Sequence, residues 1–190
     1  MKLQWKGFNK NFKQDSAIKD YDGNEYTEVV IGTQTWLVEN LKTTHDINGV
    51  EIPFIGGNFS TTIGYKHVNN TPINDEEEGL LYNASCSSLE YISSYHVPTI
   101  VELTTLKNYV SDAYDLKTSL FWNNTNGIDL YGFSAKGSGR IQTNTVDHYK
   151  TATWFWSNDA VNTLFVAFDS LVGFNSLNTT TGISIRLIKD

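Results

Sequence analysis

The sequence predicts an α+β chain with two short helices, several short strands and long irregular loops. Three observations predict it. Thr99 and Glu102 stand three residues apart after Pro98, the spacing of a capping box, and Ile100, Leu103, Leu106 and Val110 follow at helical intervals. Short apolar runs suited to strands occur at residues 26–31, 34–38, 154–157, 164–171 and 183–188. Stretches rich in Gly, Asn, Thr and Ser separate them, which is turn and loop chemistry.

The elements follow in chain order. Residues 1–19 carry Lys2, Lys6, Lys10, Lys13 and Lys19 between Leu3, Trp5, Phe8 and Phe12. Rings of this size gain by burial, while the lysines resist entry into a core. The segment therefore reads as an assembly arm outside a domain spanning 20–190, with Leu3, Trp5, Phe8 and Phe12 as its contacts. An edge strand of the domain is the alternative. Residues 20–24 are a turn cluster. Residues 26–31 and 34–38 form a hairpin across Gly32-Thr33, with Trp36 in the core. Residues 43–74 read as loops with short strands. The run Asp75-Glu76-Glu77-Glu78 reads as a solvated loop, because ligating carboxylates normally alternate with spacers.

A short helix is expected over 83–90. Pro98 biases His96 and Val97 to extended backbone. The capped helix over 100–110 then presents its stripe to the Trp- and Gly-rich segments downstream. Ser111 or Asp112 caps a further helical turn. Residues 132–135 and 137–140 are small-residue segments where backbone packs closely. Residues 154–157 form a core strand, 164–171 an alternating strand and 173–182 a loop. The closing strand, 183–188, turns Ile183, Ile185 and Leu187 to one face.

Composition narrows the partners. The 190 residues carry a formal charge of −7, with arginine only at 140 and 186, so phosphate-held nucleic acid is not expected. No apolar run is long enough to span a bilayer, and no membrane partner is expected. A single cysteine, Cys86, rules out an internal disulfide and a cysteine zinc cage. Residues 1–10 lack the apolar stretch of a signal peptide. Use without secretion, or prior removal of a leader, is the expectation.

The motifs of catalysis are weak here. Gly132-x-Ser134 continues to Lys136 before Gly137, so it is not a nucleophile elbow. Gly137-x-Gly139 lacks the third glycine of a dinucleotide fingerprint. His45, His67, His96 and His148 show no ligand pairing, and His96 is expected to pack with its ring nitrogens on backbone. No enzyme, cofactor or metal is expected.

Nine motifs in order carry a resemblance. They are Asp22-Gly23-Asn24-x-Tyr26, Ile31-Gly32-x-Gln34-x-Trp36-x-x-Glu39-Asn40-Leu41, Gly79-x-Leu81-Tyr82-Asn83, His96-Val97-Pro98-Thr99-x-x-Glu102, Leu116-Lys117, Gly132-Phe133-Ser134-Ala135, Gly139-Arg140, Phe155-Trp156-Ser157 and the final Ser184-Ile185-Arg186-Leu187-Ile188-Lys189-Asp190. Together they resemble the Fibrobacter succinogenes major paralogous domain family, from about Asp20 to the end. Tyr95 and Phe155 stand where that family has tryptophan, which keeps an aromatic ring in place. The resemblance implies a C-type-lectin-like fold with paired N- and C-terminal strands, placing 26–31 near 183–188. It also implies kinship with formylglycine-generating proteins, whose cysteine pair Cys86 alone cannot supply. The calcium-dependent sugar-binding pattern is only half met by Trp156-Ser157-Asn158-Asp159.

What remains is a binding or structural module. Its expected recognition face combines amides and rings at Trp122, Asn123, Asn124, Asn158, Asp159, Asn175 and Asn178. A component of a phage virion is the favoured expectation, partnered by other virion proteins or copies of itself, with a host-surface glycan or protein as ligand. A bacterial surface adhesin is the alternative. Arg140 and Arg186 are expected to be structural.

Overall fold

The computed structural model describes residues 17–123, 126–167 and 171–190. The readings on Leu3, Trp5, Phe8, Phe12 and Asn124 lie outside the described residues. The architecture is α+β, built mostly from short antiparallel strands.

Strands β1 (Ile18–Lys19) and β2 (Glu25–Tyr26) pair around a turn that the Asp20 carboxylate organises by accepting from Asn24 N and the Tyr26 hydroxyl. Strands β3 (Glu28–Ile31) and β4 (Gln34–Leu37) form the expected hairpin. Gly32 opens its two-residue turn at φ +62°, and a Cβ there would stand 2.8 Å from the Tyr109 ring. Only glycine meets both demands. Strand β5 (Tyr65–His67), helix α1 (Asp75–Glu78) and strand β6 (Leu80–Tyr82) follow, then a 3₁₀ turn at Ala84–Ser88. Strand β7 (Tyr95–His96) leads into helix α2 (Ile100–Tyr109) and a 3₁₀ turn at Ala113–Asp115 capped by Asp112. The remaining strands are β8 (Arg140–Gln142), β9 (Thr145–Asp147), β10 (Ala152–Trp156), β11 (Asn162–Ala167), β12 (Val172–Ser176) and β13 (Ile188–Lys189).

Three sequence expectations are corrected. The closing strand pairs with β4, Ile188 opposite Trp36, and with β7 on its other side; β3 lies one strand further out. The cause is burial. Trp36 and Leu37 are apolar on both faces of β4 and fully buried, whereas Val30 on β3 is 69% exposed. Second, residues 172–176 form an edge strand along β11 rather than a loop. Third, the acidic run forms α1, and Glu78 at its end is buried.

Two cores flank a wall made of β4, β10 and the closing segment 182–189. Leu37, Trp154, Trp156, Ile183, Ile185 and Leu187 enter the first core. Trp36, Phe155 and Ile188 enter the second, where they meet Leu103, Leu106 and Val110 from α2 and its C-cap. This is the strand period of two applied to a strand buried on both sides. The wall is stitched by Trp156 N to Ser184 O, Ile183 N to Tyr82 O, Leu41 N to Ile185 O and Leu37 N to Leu187 O. The α2 stripe meets Trp122, Phe133 and Phe155, the Trp- and Gly-rich segments expected for it. Gly139 takes φ +68°, and a Cβ there would stand 2.6 Å from Asp147 O, so the close backbone packing is real. Cys86 is buried in the first core, and burial pushes its thiol up to about 11. It behaves as a small apolar residue.

Arg186 lies inside the wall, 1% exposed. Its Nε and Nη2 donate to Asn40 Oδ1 at 3.1 and 2.6 Å. Its Nη1 donates to Leu37 O at 3.1 Å and Phe133 O at 2.5 Å. The guanidinium lies 4.5 Å from the Phe133 ring centre and 5.3 Å from that of Phe155. Burial pushes its pKa down to about 9, so it stays charged at neutral pH. Arg140 is structural too. It holds Asp147 through Nε and Nη2 at 3.0 and 2.7 Å and lies over Trp154.

Two stability predictions follow from these contacts. Thr99 Oγ1 accepts from Glu102 N at 3.2 Å, and Glu102 Oε2 accepts from Thr99 N at 2.8 Å. Thr99→Ala should cost about 1 kcal/mol in a denaturant melt, and an unchanged midpoint would show that the cap contributes nothing. Arg186→Lys should cost about 3 kcal/mol, because an ammonium cannot reach three separate acceptors and leaves buried oxygens unpaired. A loss below about 0.5 kcal/mol, the size of an ordinary surface change, would remove Arg186 from its structural role.

Candidate functional site

The structure divides the sequence-predicted face. Trp122 is 7% exposed, packs in the second core and donates its ring N–H to Ala135 O at 3.0 Å. It is a core residue, not part of a binding surface. Its ring packs with Leu116, Phe133 and Ala135 in that core. Asn123 is exposed, and its N–H bonds Lys150 O, close to where β10 begins. Asn158 and Asp159 follow the other end of β10, so the strand separates them from Asn123.

At that far end four predicted residues share one rim. The Asp159 carboxylate accepts from the Ser157 hydroxyl, the N–H groups of Val161 and Asn162, and Asn162 Nδ2. Partial burial works against its charge, but these donors outweigh it and hold the carboxyl down to about 2. Asp159 is therefore consumed in shaping the β10–β11 turn. Across the sheet, Asn162 opposes Ser176, and Asn175 presents its side chain from the exposed edge strand β12. Asn178 accepts from Thr180 N and Thr180 Oγ1, fixing the next turn. Asn158, Asn175 and Asn178 are all exposed on this rim.

Asn158 N donates to Pro98 O at 2.9 Å, which joins the rim to the capped helix. Ser87, Leu89, Glu90, His96 and Asn158 line a groove of about 300 Å³ there. His96 corrects an expectation: its ring nitrogens meet carboxylates, not backbone. Nδ1 lies 2.7 Å from Asp190 Oδ1, and Nε2 lies 3.1 Å from both oxygens of Glu102. The sequence could not pair His96 with Asp190, 94 positions away. With both nitrogens engaged, the imidazole ties Asp190 to the α2 cap.

A second cleft went unread in the sequence. Phe54, Gly56, Lys66, His67, Asn70 and Asn144 line a cavity of about 260 Å³. The Phe54 ring is 51% exposed, 5.0 Å from the His67 ring and 5.8 Å from Tyr65. His67 Nδ1 lies 2.7 Å from Asp75 Oδ2, which orients the imidazole. Lys66 is 2% exposed and donates from Nζ to Asn144 Oδ1 at 2.6 Å. Burial lowers its pKa. The available signal was local: Asn69, Asn70 and Asn144 are of a type that tolerates left-handed backbone, and all three have positive φ.

Beside α1, the Tyr149 hydroxyl donates to Glu78 Oε1 at 2.9 Å, while Oε2 is buried without a hydrogen bond. Burial raises the Glu78 pKa against the pull of Tyr149, Lys150 and Lys136. Among the described residues, no group of three or more His, Cys, Asp or Glu side chains is placed to hold a metal ion. No helix among them is long and apolar enough to cross a membrane.

Fold and clefts thus define an α+β module with well-buried apolar cores and polar turns at its rim. Residues 29–189 match the model of the Fibrobacter succinogenes major domain, and the chain belongs to that family. Curated proteins and solved structures gave no match.

The His96 cluster predicts a pH dependence. Burial opposes the charged ring, but Asp190 and Glu102 outweigh it and raise the His96 pKa above its ordinary 6.5. Stability from this tie is complete below 6.5 and fades as pH rises through the raised value. Burial also opposes the Glu102 charge, yet the Thr99 donors and His96 hold that carboxyl below its ordinary 4.5, so its contribution fades only as acid protonates it. Urea midpoints measured from pH 6 upward should fall for the wild type. In His96→Gln the part of that slope due to this residue should disappear. Identical slopes in the two proteins would contradict the tie.

Proposed function

We propose that the chain is a non-enzymatic binding or structural module, displaying a C-type-lectin-like domain as a phage virion component. A head or tail decoration, a fibre or a receptor-binding protein would each suit it. The observation that carries the reading is the amide rim at the far end of β10. Asn158 and Asn175 are exposed there, beside turns held by Asp159 and Asn178. A surface fixed in advance loses little conformational freedom on binding. Attachment falls to residues 1–19, whose lysines and rings suit an acidic partner surface or a neighbouring copy. A bacterial surface adhesin or carbohydrate-binding protein is the second reading. The groove of about 300 Å³ beside Asn158 favours it, since amides in a concave site suit hydroxylated ligands.

Two variants test the proposal. Deleting residues 1–16 should leave a folded protein that no longer enters particles; entry at wild-type levels, or outright unfolding, would contradict an attachment arm. Asn158→Ala with Asn175→Ala should weaken binding to host cells about tenfold while the melting temperature holds. Unchanged cell binding would remove the rim from recognition.

A further inference from the structure

The cleft between β5 and the β8–β9 turn lies apart from the amide rim and has its own chemistry. Lys66 sits in its wall, 2% exposed, as the cleft's cation. Among the described residues, its ammonium makes one hydrogen bond, to the neutral Asn144 Oδ1, and sits 5.5 Å from the Phe59 ring centre. No carboxylate of the described residues pairs with it within 4.0 Å. An ammonium has three donors, so two are left for a ligand. A buried cation without a countercharge is costly, and an anionic ligand group would offset that cost.

The other walls narrow the ligand. The Phe54 ring is half exposed and braced by His67 and Tyr65, which makes a fixed flat platform. Asn70 and Asn144 offer amides from backbone held at φ +55° and +60°. A ring with an apolar face, several hydroxyls and one negative charge meets all these features: face on Phe54, hydroxyls on the amides, charge on Lys66. The charge is better carried by a carboxylate than by a phosphate dianion. There is one ammonium, and Asp75 lies behind His67.

We propose that this cleft binds a carboxylate-bearing pyranose, such as a hexuronic acid unit, with Lys66 as the carboxylate's partner and Phe54 as the stacking platform. The cavity of about 260 Å³ has monosaccharide dimensions. This goes beyond the proposed function, since none of its residues belongs to the amide rim.

The test is calorimetric titration of the full chain with glucuronate and galacturonate, alongside glucose and galactose. At least one uronate should bind at least about tenfold more tightly than its neutral counterpart. Phe54→Ala, at an exposed position, should weaken that uronate about tenfold or more. Asn144→Asp gives Lys66 a carboxylate of its own; it should keep the fold by circular dichroism and abolish the preference for the uronate. Equal affinity for acid and neutral sugars would overturn the proposal, as would uronate binding indifferent to both variants. So would no heat from either uronate at about 10 mM. Variants at Asn158 and Asn175 should leave uronate binding intact, so failure here and failure of the rim are separately visible.

Discussion

The buried guanidinium of Arg186 is the constraint on which the rest of the structure depends. It carries a charge into a region with almost no solvent and finds neutral oxygens there: Asn40 Oδ1, Leu37 O and Phe133 O. The acceptors come from two stretches of chain, the end of β4 with Asn40 and the 132–135 turn. Losing any of them would leave the buried charge less well compensated, because a buried ion depends on its hydrogen bonds. The phenyl rings of Phe133 and Phe155 add their faces above the plane. Asn40 extends the network, donating from Nδ2 to Glu78 O at 2.8 Å. One side chain thus fixes the first hairpin, the end of α1, the 132–135 turn and the closing segment relative to one another.

That fixation leaves the turns to be ordered by local contacts. The irregular turns at the perimeter carry their own hydrogen bonds. Asp159 and Asn178 each spend their oxygens on their own turn. His67 and Lys66 are held in the same way, by Asp75 and Asn144. The His96 tie works at the opposite scale, joining the last residue of the chain to the cap of α2. These are electrostatic contacts at a half-wet surface, so they tune stability with pH and do not determine the fold.

Local physics was legible in the sequence and long-range pairing was not. The capping box at Thr99 and Glu102 depends on three-residue spacing, and the hairpin at Gly32-Thr33 on a two-residue turn. Both are seen as read. The core strand at Trp154–Trp156 and the alternation at Leu164 and Val166 announce themselves by apolar period. Edge strand β12 hid because an edge tolerates Gly, Asn and Ser as a loop does. Glu78 looked solvated beside three other acids, yet the last turn of α1 points it inward to Tyr149. Trp122 looked like a ligand platform because its neighbours are asparagines; the acceptor of its ring N–H is Ala135 O, thirteen residues on. The Lys66 cleft joins residues 54 to 144, a separation that no spacing rule spans.

Native-state hydrogen exchange tests the central claim most directly. If Arg186 locks the wall, the amides of Leu37, Leu41, Trp156 and Ile183 should exchange only through global unfolding, with one shared opening free energy. The perimeter amides of Ile55 and Asn74 should open earlier. Exchange of Leu37 and Leu41 by a partial opening, well before Trp156 and Ile183, would show that the hairpin and the closing segment come apart independently, and that the guanidinium does not hold them as one unit.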